Sequence, residues 1–316
     1  MTRTDFYYPS KDEVHRIHAV SWIPDGEVRG VLQIAHGMVE FIMRYDRFAT
    51  YMADHWYAVF GNDHLGHGLS VNSEEELGYF HYPNGHYYAV NDMHRLYKIA
   101  HSQYPDLPYF LLGHSMGSFF AREYIEIFGK ELAGAIIMGT GYQPASVIQT
   151  GKNMCQALGL RKGWTHRSLR LADMVLGSNN SHFEPARTRN DWLTKDEAIV
   201  DAYNENPLNN FKFTVEGYQT LFASIGYAHN NKYIREIPRT LPLFFVSGAD
   251  DPVGNYGKGV AQACALYQKA GIYDITFRLY ENDRHEILNE LDYQKVYRDL
   301  LDWIERHNTI YSGSEE

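Results

Sequence analysis

One serine stands between two glycines in the segment PYFLLGHSMGSFF, residues 108–120. Gly113, Ser115 and Gly117 form the pattern G-x-S-x-G, which follows a strand-like apolar run and precedes a helical pattern. A serine at a sharp strand-to-helix turn exposes its hydroxyl, and small residues on either side let the strand and the helix pass closely. Glycine–serine patterns also arise by chance, but these flanks favour a nucleophilic serine.

Such a serine needs a base that takes its proton and a third group that orients the base. In this type of turn the acid and then the histidine follow the serine along the chain, each after a late strand. Asp250 and Asp251 follow the run LPLFFVSG, and His285 follows DITFRLY. We predict His285 as the base and Asp251 as the acid, with Asp250 as the less favoured alternative, because the pattern G-x-x-D-x-V places Asp251 after the turn.

The oxyanion that forms when a serine attacks a carbonyl needs two hydrogen-bond donors. The backbone N–H of Met116, directly after the serine, supplies one. The second normally comes from the loop after an earlier strand, and the segment IAHGMVE places the N–H of Met38 there. We therefore predict an oxyanion hole made by Met38 and Met116, and we interpret His36 in the same segment as structural.

A metal site is the alternative chemistry for the segment NDHLGHGLS, residues 62–70. Asp63, His64 and His67 are side-chain types that ligate metals, and they lie close together in sequence. We favour a tight turn at a strand end, because Gly66 and Gly68 suit one and no further ligands are evident. For this reason we expect no metal. The sequence also contains no phosphate-binding glycine loop and no other cofactor signature, so we expect no organic cofactor.

Short apolar runs alternate with helical patterns along most of the chain. Continuous hydrophobicity is typical of strands covered on both faces, and this alternation predicts a mostly parallel sheet between two layers of helices. The predicted strands are residues 28–37, 57–68, 108–115, 132–141, 241–251 and 274–280. Residues 142–240 contain no comparable run and are predicted as helices and loops. We therefore predict a core of residues 1–141 and 241–316 with an inserted helical cap at 142–240, the predicted cap.

The composition excludes several classes of protein. The formal net charge is −10 without a long basic run, which argues against binding to nucleic acid or anionic membranes. Two cysteines, Cys155 and Cys264, are too few for a disulfide scaffold and favour a reducing compartment. The N-terminus has no signal-peptide pattern, and no apolar run is long enough to span a bilayer. We expect a soluble cytoplasmic protein without stable membrane insertion.

Four motifs spread over most of the core are jointly specific: HGMVEFIMRY, VFGNDHLGHGLS, YPDLPYFLLGHSMGS, and DDPVG followed by RHEILNE. Together they resemble the monoacylglycerol lipase and lysophospholipase branch of the α/β-hydrolases. The segment YNENPL, residues 203–208, is similar to one that closes the cap region in these proteins. The resemblance implies an eight-stranded α/β-hydrolase core with a helical cap, and it implies the same triad and oxyanion hole as the residue pattern.

The cap shapes the substrate pocket, and residues 143–184 match nothing that identifies a substrate. Methionine and aromatic side chains suit an adaptable pocket for an acyl chain. Each apolar residue of the predicted cap is nevertheless more simply explained by packing against the core. The candidates are Met154, Leu158, Leu160, Trp164, Leu169, Leu171, Met174, Val175 and Leu176.

We expect a serine carboxylester hydrolase that acts on monoacylglycerols, lysophospholipids or similar single-chain lipid esters. One alternative is an amide or peptide hydrolase with the same triad, in which carboxylates of the predicted cap hold a substrate amine. These carboxylates are Glu184, Asp191, Asp196 and Glu197. A second alternative is a binding protein that kept the fold without the chemistry. The sequence also leaves a homo-oligomer open.

Overall fold

A computed structural model describes residues 1–308, which contain one eight-stranded sheet with helices on both faces. The strands are β1 (Thr2–Pro9), β2 (Arg16–Ile23), β3 (Gly30–Ala35), β4 (Tyr57–Asn62), β5 (Tyr109–His114), β6 (Gly134–Met138), β7 (Leu243–Gly248) and β8 (Ile275–Tyr280). The helices are α1 (Asp46–Asp54), α2 (Gly85–Gln103), α3 (Met116–Phe128), α4 (Ala145–Lys162), α5 (Leu169–Leu176), α6 (Glu197–Glu205), α7 (Val215–Ala228), α8 (Asn231–Ile234), α9 (Lys258–Ala270) and α10 (Tyr293–His307).

The strand order is β1-β2-β4-β3-β5-β6-β7-β8. β2 is antiparallel to both β1 and β4, whereas the strands from β4 across to β8 all run parallel. The carboxyl ends of parallel strands lie at the same edge of a sheet, which is where open α/β sheets form their sites. The residues that follow β5, β7 and β8 therefore emerge at one edge.

Alternate side chains of the central strands enter two different hydrophobic clusters. In β3, Val31 and Ala35 pack in the cluster that includes α2 and α3, while Leu32 and Ile34 pack in the one that includes α1 and α10. Each large apolar side chain buried in this way stabilises the folded state by about 1.5–3 kcal/mol relative to an exposed one. Burial on both faces explains why the strand sequences are continuously apolar.

The six predicted strands are confirmed as β3 to β8, and the predicted α/β-hydrolase architecture with about eight strands is confirmed with them. The residue pattern did not identify β1 and β2. β1 pairs on one side only and its side chains are mostly exposed, so it lacks the continuous apolar run of the inner strands.

Between β6 and β7 the described residues form helices and turns without a strand. The helical pattern of the segment DWLTKDEAIVDAY, residues 191–203, predicts a helix over its whole length. Residues 191–195 are not helical, because α6 begins only after Asp196, whose carboxylate accepts hydrogen bonds from the first amides of the helix. The division of the chain into a core and the predicted cap stays a prediction, and residues 309–316 of that core lie outside the described residues.

Within residues 1–308, no helix combines the length and the apolar character that crossing a membrane requires. Cys155 and Cys264 are both buried, and neither forms a disulfide.

Candidate active site

Ser115 occupies the sharp turn between β5 and α3. β5 ends at His114 and α3 begins at Met116, so this single residue makes the connection. Its backbone has φ 53° and ψ −120°, a positive φ that residues with a side chain rarely adopt. Such conformations cost on the order of 1–3 kcal/mol and are concentrated at functional sites.

Gly113 and Gly117 are required by the close crossing at this turn. A Cβ on Gly113 would lie 2.3 Å from the carbonyl oxygen of Gly117, and one on Gly117 would lie 2.2 Å from that of Ala35. Both neighbours are backbone atoms, so neither clash could be relieved by moving a side chain. The spacing of the G-x-S-x-G pattern thus follows from the packing of β3, β5 and α3.

Asp251 and His285 form a buried hydrogen-bonded pair in the loops that follow β7 and β8. Nδ1 of His285 lies 2.9 Å from Oδ2 of Asp251, and neither side chain exposes more than 2 % of its surface. The Ser247 hydroxyl donates to the same carboxylate at 3.0 Å, and the amide of Val253 donates to Oδ1 at 2.8 Å. Asp250, the less favoured candidate, is exposed to solvent.

The surroundings of Asp251 keep it ionised. Burial by itself raises the pKa of the Asp251 carboxyl, but the His285 imidazole and the donated hydrogen bonds outweigh burial and hold the pKa below its ordinary value. An ionised carboxylate at this position fixes the orientation of the ring and determines which ring nitrogen carries the proton in neutral His285.

His285 lies near Ser115 across the end of β6. The Ser115 amide donates a hydrogen bond to the carbonyl of Met138 at 3.0 Å. A Cβ on the next residue, Gly139, would lie 3.2 Å from Cε1 of His285. The ring of His114, directly before Ser115, has its centroid 4.8 Å from that of His285. The three residues predicted as a triad thus lie at one edge of the sheet, and their catalytic roles stay a prediction.

The two predicted oxyanion donors lie in the loop after β3 and at the start of α3. Met116 is the first residue of its helix, and the first amides of a helix have no partner within it. Met38 is half-buried, and Gly37 lies close enough to Ser115 that a Cβ on Gly37 would be 3.0 Å from the serine Cβ. The loop of Met38 therefore lies beside the serine.

Two residues of the predicted cap donate hydrogen bonds to the loop that contains Met38. Val39 has a φ of 56°, and its carbonyl accepts hydrogen bonds from the Tyr203 hydroxyl and the Asn209 side chain, each at 2.9 Å. Tyr203 belongs to the YNENPL segment, but no sequence pattern indicates that Tyr203 or Asn209 contacts Val39, the residue after Met38. The two hydrogen bonds fix the backbone next to a predicted oxyanion donor.

A buried network of charged groups, which sequence reasoning missed, supports the same region. The Arg44 guanidinium contacts both oxygens of Glu286 at 2.6 and 2.7 Å and one oxygen of Glu40 at 2.8 Å. Glu40 also accepts hydrogen bonds from the Gly37 amide and, at 2.8 Å, from the Tyr45 hydroxyl. Burial raises the pKa of Glu40, yet contacts with His114 and Arg44 outweigh it and lower that pKa.

Trp192 of the predicted cap covers one face of His285. The centroids of the two rings are 4.9 Å apart with an interplanar angle of 40°, and the Trp192 carbonyl accepts a hydrogen bond from the His285 amide. The neighbouring carbonyl of Leu193 accepts one from Glu286 at 2.7 Å. This contact had no signal in the sequence, because residues 191–195 resembled the start of a helix.

The apolar residues suggested for an acyl channel have different environments. Leu171 is fully buried, whereas Leu160 and Leu169 expose 75 % and 61 % of their surface. Leu176 packs in a small cluster with Trp192 and is thereby linked to the His285 loop. The described contacts do not join the nine residues into one channel.

The segment around Asp63 forms a turn after β4. The Asp63 carboxylate accepts hydrogen bonds from the amides of Ile42 and Leu69, both at 2.8 Å, and lies 2.8 Å from the ring of His18. Within residues 1–308, Asp63, His64 and His67 do not form a group whose ligand atoms converge. His36 accepts a hydrogen bond from the His64 amide at 2.9 Å, which agrees with its interpretation as structural.

The chain matches known families over most of its length. The family model described as serine aminopeptidase, S33, matches residues 26–292. A monoacylglycerol lipase of Mycolicibacterium smegmatis is 26 % identical over 309 residues, which cover 97 % of this chain and 98 % of that protein. A monoglyceride lipase of Rattus norvegicus is 26 % identical, with 99 % and 96 % covered.

The structure also resembles a solved structure over nearly the whole chain. A highly thermostable carboxyl esterase from Bacillus coagulans, solved in complex with glycerol, superposes with a TM-score of 0.91 at 27 % identity. The match covers 98 % of this chain and 99 % of the esterase. The likeness therefore extends over the sheet and the residues between β6 and β7.

Proposed function

Because the chain belongs to the serine aminopeptidase S33 family of α/β-hydrolases, we propose that it is a serine carboxylester hydrolase for single-chain lipid esters. The proposed substrates are monoacylglycerols, lysophospholipids or similar esters with one acyl chain. The observation that carries the proposal is the buried Asp251–His285 pair, at the same sheet edge as a serine in a strained strand-to-helix turn.

In the proposed reaction the Ser115 hydroxyl attacks the ester carbonyl while Nε2 of His285 accepts its proton. Asp251 holds Nδ1 of the ring and stabilises the imidazolium. The amides of Met38 and Met116 stabilise the negative oxygen of the tetrahedral intermediate. His285 then gives the proton to the leaving alcohol, and the acyl group remains on Ser115. In the second half, His285 takes a proton from the water molecule that attacks the acyl-enzyme, and it then gives this proton to the Ser115 oxygen as the fatty acid leaves.

The relatives support a lipid ester as the substrate class. Two of them carry the names monoacylglycerol lipase and monoglyceride lipase, and the similar carboxyl esterase was solved with glycerol bound. The ligand of this chain, in this proposal, is one acyl chain esterified to a small polar alcohol.

An aminopeptidase is the second candidate, since the description of the family model names that activity. It would need a free carboxylate to bind the substrate amine. In the predicted cap, Glu184 accepts a hydrogen bond from Ala186, and Asp191 accepts them from Thr188. Asp196 caps α6. These local roles favour the ester hydrolase.

The first experiment tests the nucleophile. A fluorophosphonate probe should label wild-type protein at Ser115, and Ser115→Ala should lose both the label and ester turnover while its thermal midpoint stays close to that of wild type. Folded wild-type protein without a serine adduct would instead identify a binding protein of this fold.

The second experiment tests the substrate class. We expect turnover of a p-nitrophenyl ester to exceed that of an aminoacyl anilide by orders of magnitude. Esters of increasing acyl length, compared with glycerol and phosphocholine head groups, then separate monoacylglycerol from lysophospholipid preference. Faster turnover of the anilide would replace the ester hydrolase by the aminopeptidase.

A further inference from the structure

Two histidines and an aspartate meet in a cluster outside the candidate active site. Asp12 and His15 lie in the turn between β1 and β2, and His81 lies between β4 and α2. Oδ2 of Asp12 is 2.5 Å from Nδ1 of His15 and 3.0 Å from Nδ1 of His81. Across residues 1–308 no other set of three His, Cys, Asp or Glu side chains brings its ligand atoms within 4.8 Å of one another.

The two imidazoles approach the carboxylate from different directions. Their ring centroids are 5.8 Å apart and their planes are nearly perpendicular, at 82°. Two nitrogen atoms therefore point at one carboxylate oxygen. A nitrogen lone pair would repel this oxygen, so each contact needs either a proton on the ring nitrogen or a metal cation between the nitrogen and the oxygen.

A second carboxylate determines which nitrogen of His15 is the ligand. Nε2 of His15 is 3.2 Å from Oε2 of Glu76, which also accepts a hydrogen bond from the Asn72 amide at 2.7 Å. Donation from Nε2 to Glu76 leaves Nδ1 of a neutral ring unprotonated and directed at Asp12. A histidine that binds a metal through one nitrogen and donates to a carboxylate through the other is a recurrent feature of metal sites.

The cluster is oriented before any ligand arrives. Oδ1 of Asp12 accepts hydrogen bonds from the amides of Val14 and His15, both at 2.9 Å. The side chain of Asp12 has no exposed surface and that of His15 exposes 8 %, whereas His81 exposes 33 %. The His81 side is therefore open to a water ligand and to ion exchange.

We propose that Asp12, His15 and His81 bind a zinc ion, with a water molecule as the fourth ligand. Imidazole nitrogen and carboxylate oxygen are zinc ligands, and imidazole disfavours Mg²⁺ and Ca²⁺. Tetrahedral zinc with bonds of about 2.1 Å holds its ligand atoms about 3.4 Å apart. The two nitrogen–oxygen distances of 2.5 and 3.0 Å need to open by less than 1 Å to reach that geometry.

The ion links two distant parts of the chain. It joins the β1–β2 turn to the segment before α2, whose Gly78 carbonyl accepts a hydrogen bond from Thr214 at 2.8 Å. The amide of Phe80 in this segment donates to Glu216 of α7 at 2.6 Å. Zinc at this position stabilises the fold and takes no part in the reaction at Ser115.

The test is a titration of the full chain, with any purification tag removed and metals stripped by chelation and dialysis. Isothermal calorimetry with zinc chloride should give one ion per chain. His15→Ala and His81→Asn should each weaken binding at least about 100-fold, and Glu76→Gln should weaken it about 10- to 100-fold. Asparagine is chosen at position 81 because it tolerates the φ of 64° found there.

The matched control is His55→Ala, which removes a histidine at the end of α1 whose Nδ1 contacts the Tyr51 carbonyl. Its zinc affinity should equal that of wild type. Wild type alone provides a second readout, because cobalt(II) in the same site should give the visible absorption of a tetrahedral ion and zinc should raise the thermal midpoint. The proposal is overturned if wild type shows no saturable zinc binding or no such cobalt spectrum, or if folded His15→Ala and His81→Asn both keep wild-type affinity.

Discussion

Asp251 and Asp12 each lie within hydrogen-bonding distance of Nδ1 of a histidine, but the rest of their surroundings differ. Asp251 faces one imidazole, and its other contacts come from the hydroxyl of Ser247 and the amide of Val253. Asp12 faces two imidazoles, and the second nitrogen of His15 is engaged by Glu76. The contacts of Asp251 orient the His285 ring, whose Nε2 is the proposed proton acceptor. The contacts of Asp12 bring together one carboxylate oxygen and two imidazole nitrogens, which are the proposed zinc ligands.

The comparison shows that residue types alone do not determine chemistry. In both places burial raises the pKa of the aspartate and the contacts with histidine outweigh burial, so that both pKa values are lowered. The difference lies in what the second nitrogen of the histidine can reach. Position at the carboxyl edge of the parallel strands, beside a strained serine, gives Asp251–His285 its proposed catalytic role.

The largest expected effect is on the acid of the active site. Asp251→Asn should lower kcat for a p-nitrophenyl ester about ten-thousandfold, because the amide no longer stabilises the imidazolium or the required tautomer. Asp250→Asn is the control, and this exposed residue should lose less than about tenfold. The opposite ranking in steady-state kinetics would assign the acid to Asp250.

A carboxylate without a hydrogen-bonded imidazole should behave in the opposite way to Asp251 and Asp12. Burial raises the pKa of Glu216 to about 7, although Thr220 and Phe80 donate hydrogen bonds to it. Because this pKa exceeds the unfolded value, the contribution to stability is complete below about pH 4.5 and is lost as the pH rises through about 7.

Glu216→Gln should therefore flatten the decline of stability with pH. Between pH 5 and pH 8 the free energy of unfolding of wild type should fall by about 2–3 kcal/mol more than that of the variant. Urea unfolding at both pH values measures the difference. Glu74→Gln changes an exposed carboxylate and should match wild type at both pH values; equal slopes for wild type and Glu216→Gln would contradict the raised pKa.

Loss of the contacts from Tyr203 and Asn209 should have a smaller effect on activity. The double variant Tyr203→Phe, Asn209→Ala removes both hydrogen bonds to the Val39 carbonyl, next to the proposed oxyanion donor Met38. We expect kcat to fall about tenfold with KM within about twofold, less than the loss of a whole oxyanion donor. Tyr273→Phe, at a residue 72 % exposed, is the control. A change in KM alone would indicate a role in substrate binding instead.

The smallest effect on catalysis is expected at the proposed zinc ligands Asp12, His15 and His81. His81→Asn should leave kcat/KM for the ester within about twofold of wild type, because His81 is not placed in the reaction. A large loss of activity in folded His81→Asn would show that the Asp12–His15–His81 cluster affects the reaction at Ser115. The proposed separation of the two sites would then be wrong.

Much of the fold was predictable because burial on both faces leaves a local record. The inner strands β3 to β7 are mostly apolar runs that end near glycine, aspartate or histidine, so they could be identified from the sequence. β8 was identified from the run DITFRLY, although it lies at the sheet edge and is only partly buried. β2 is buried but was missed, because the polar residues His18 and Ser21 interrupt its apolar run. β1 carries no such record because most of its side chains are exposed. The helix prediction was wrong for residues 191–195. The helical pattern of the sequence extends to the N-terminal side of Asp196, but Asp196 is the N-cap and α6 begins only after it.

The sequence by itself determined the strained serine turn, the chain order of serine, acid and base, and the choice of Asp251 over Asp250 as a prediction. These features depend on short spacings around strand ends, where local sterics restrict the residue types. Only the tertiary structure decided that Tyr203 and Asn209 hold Val39, that Trp192 covers His285, and that His81 meets Asp12. Those contacts join residues far apart in the chain, and their geometry is fixed by how the sheet, helices and loops pack.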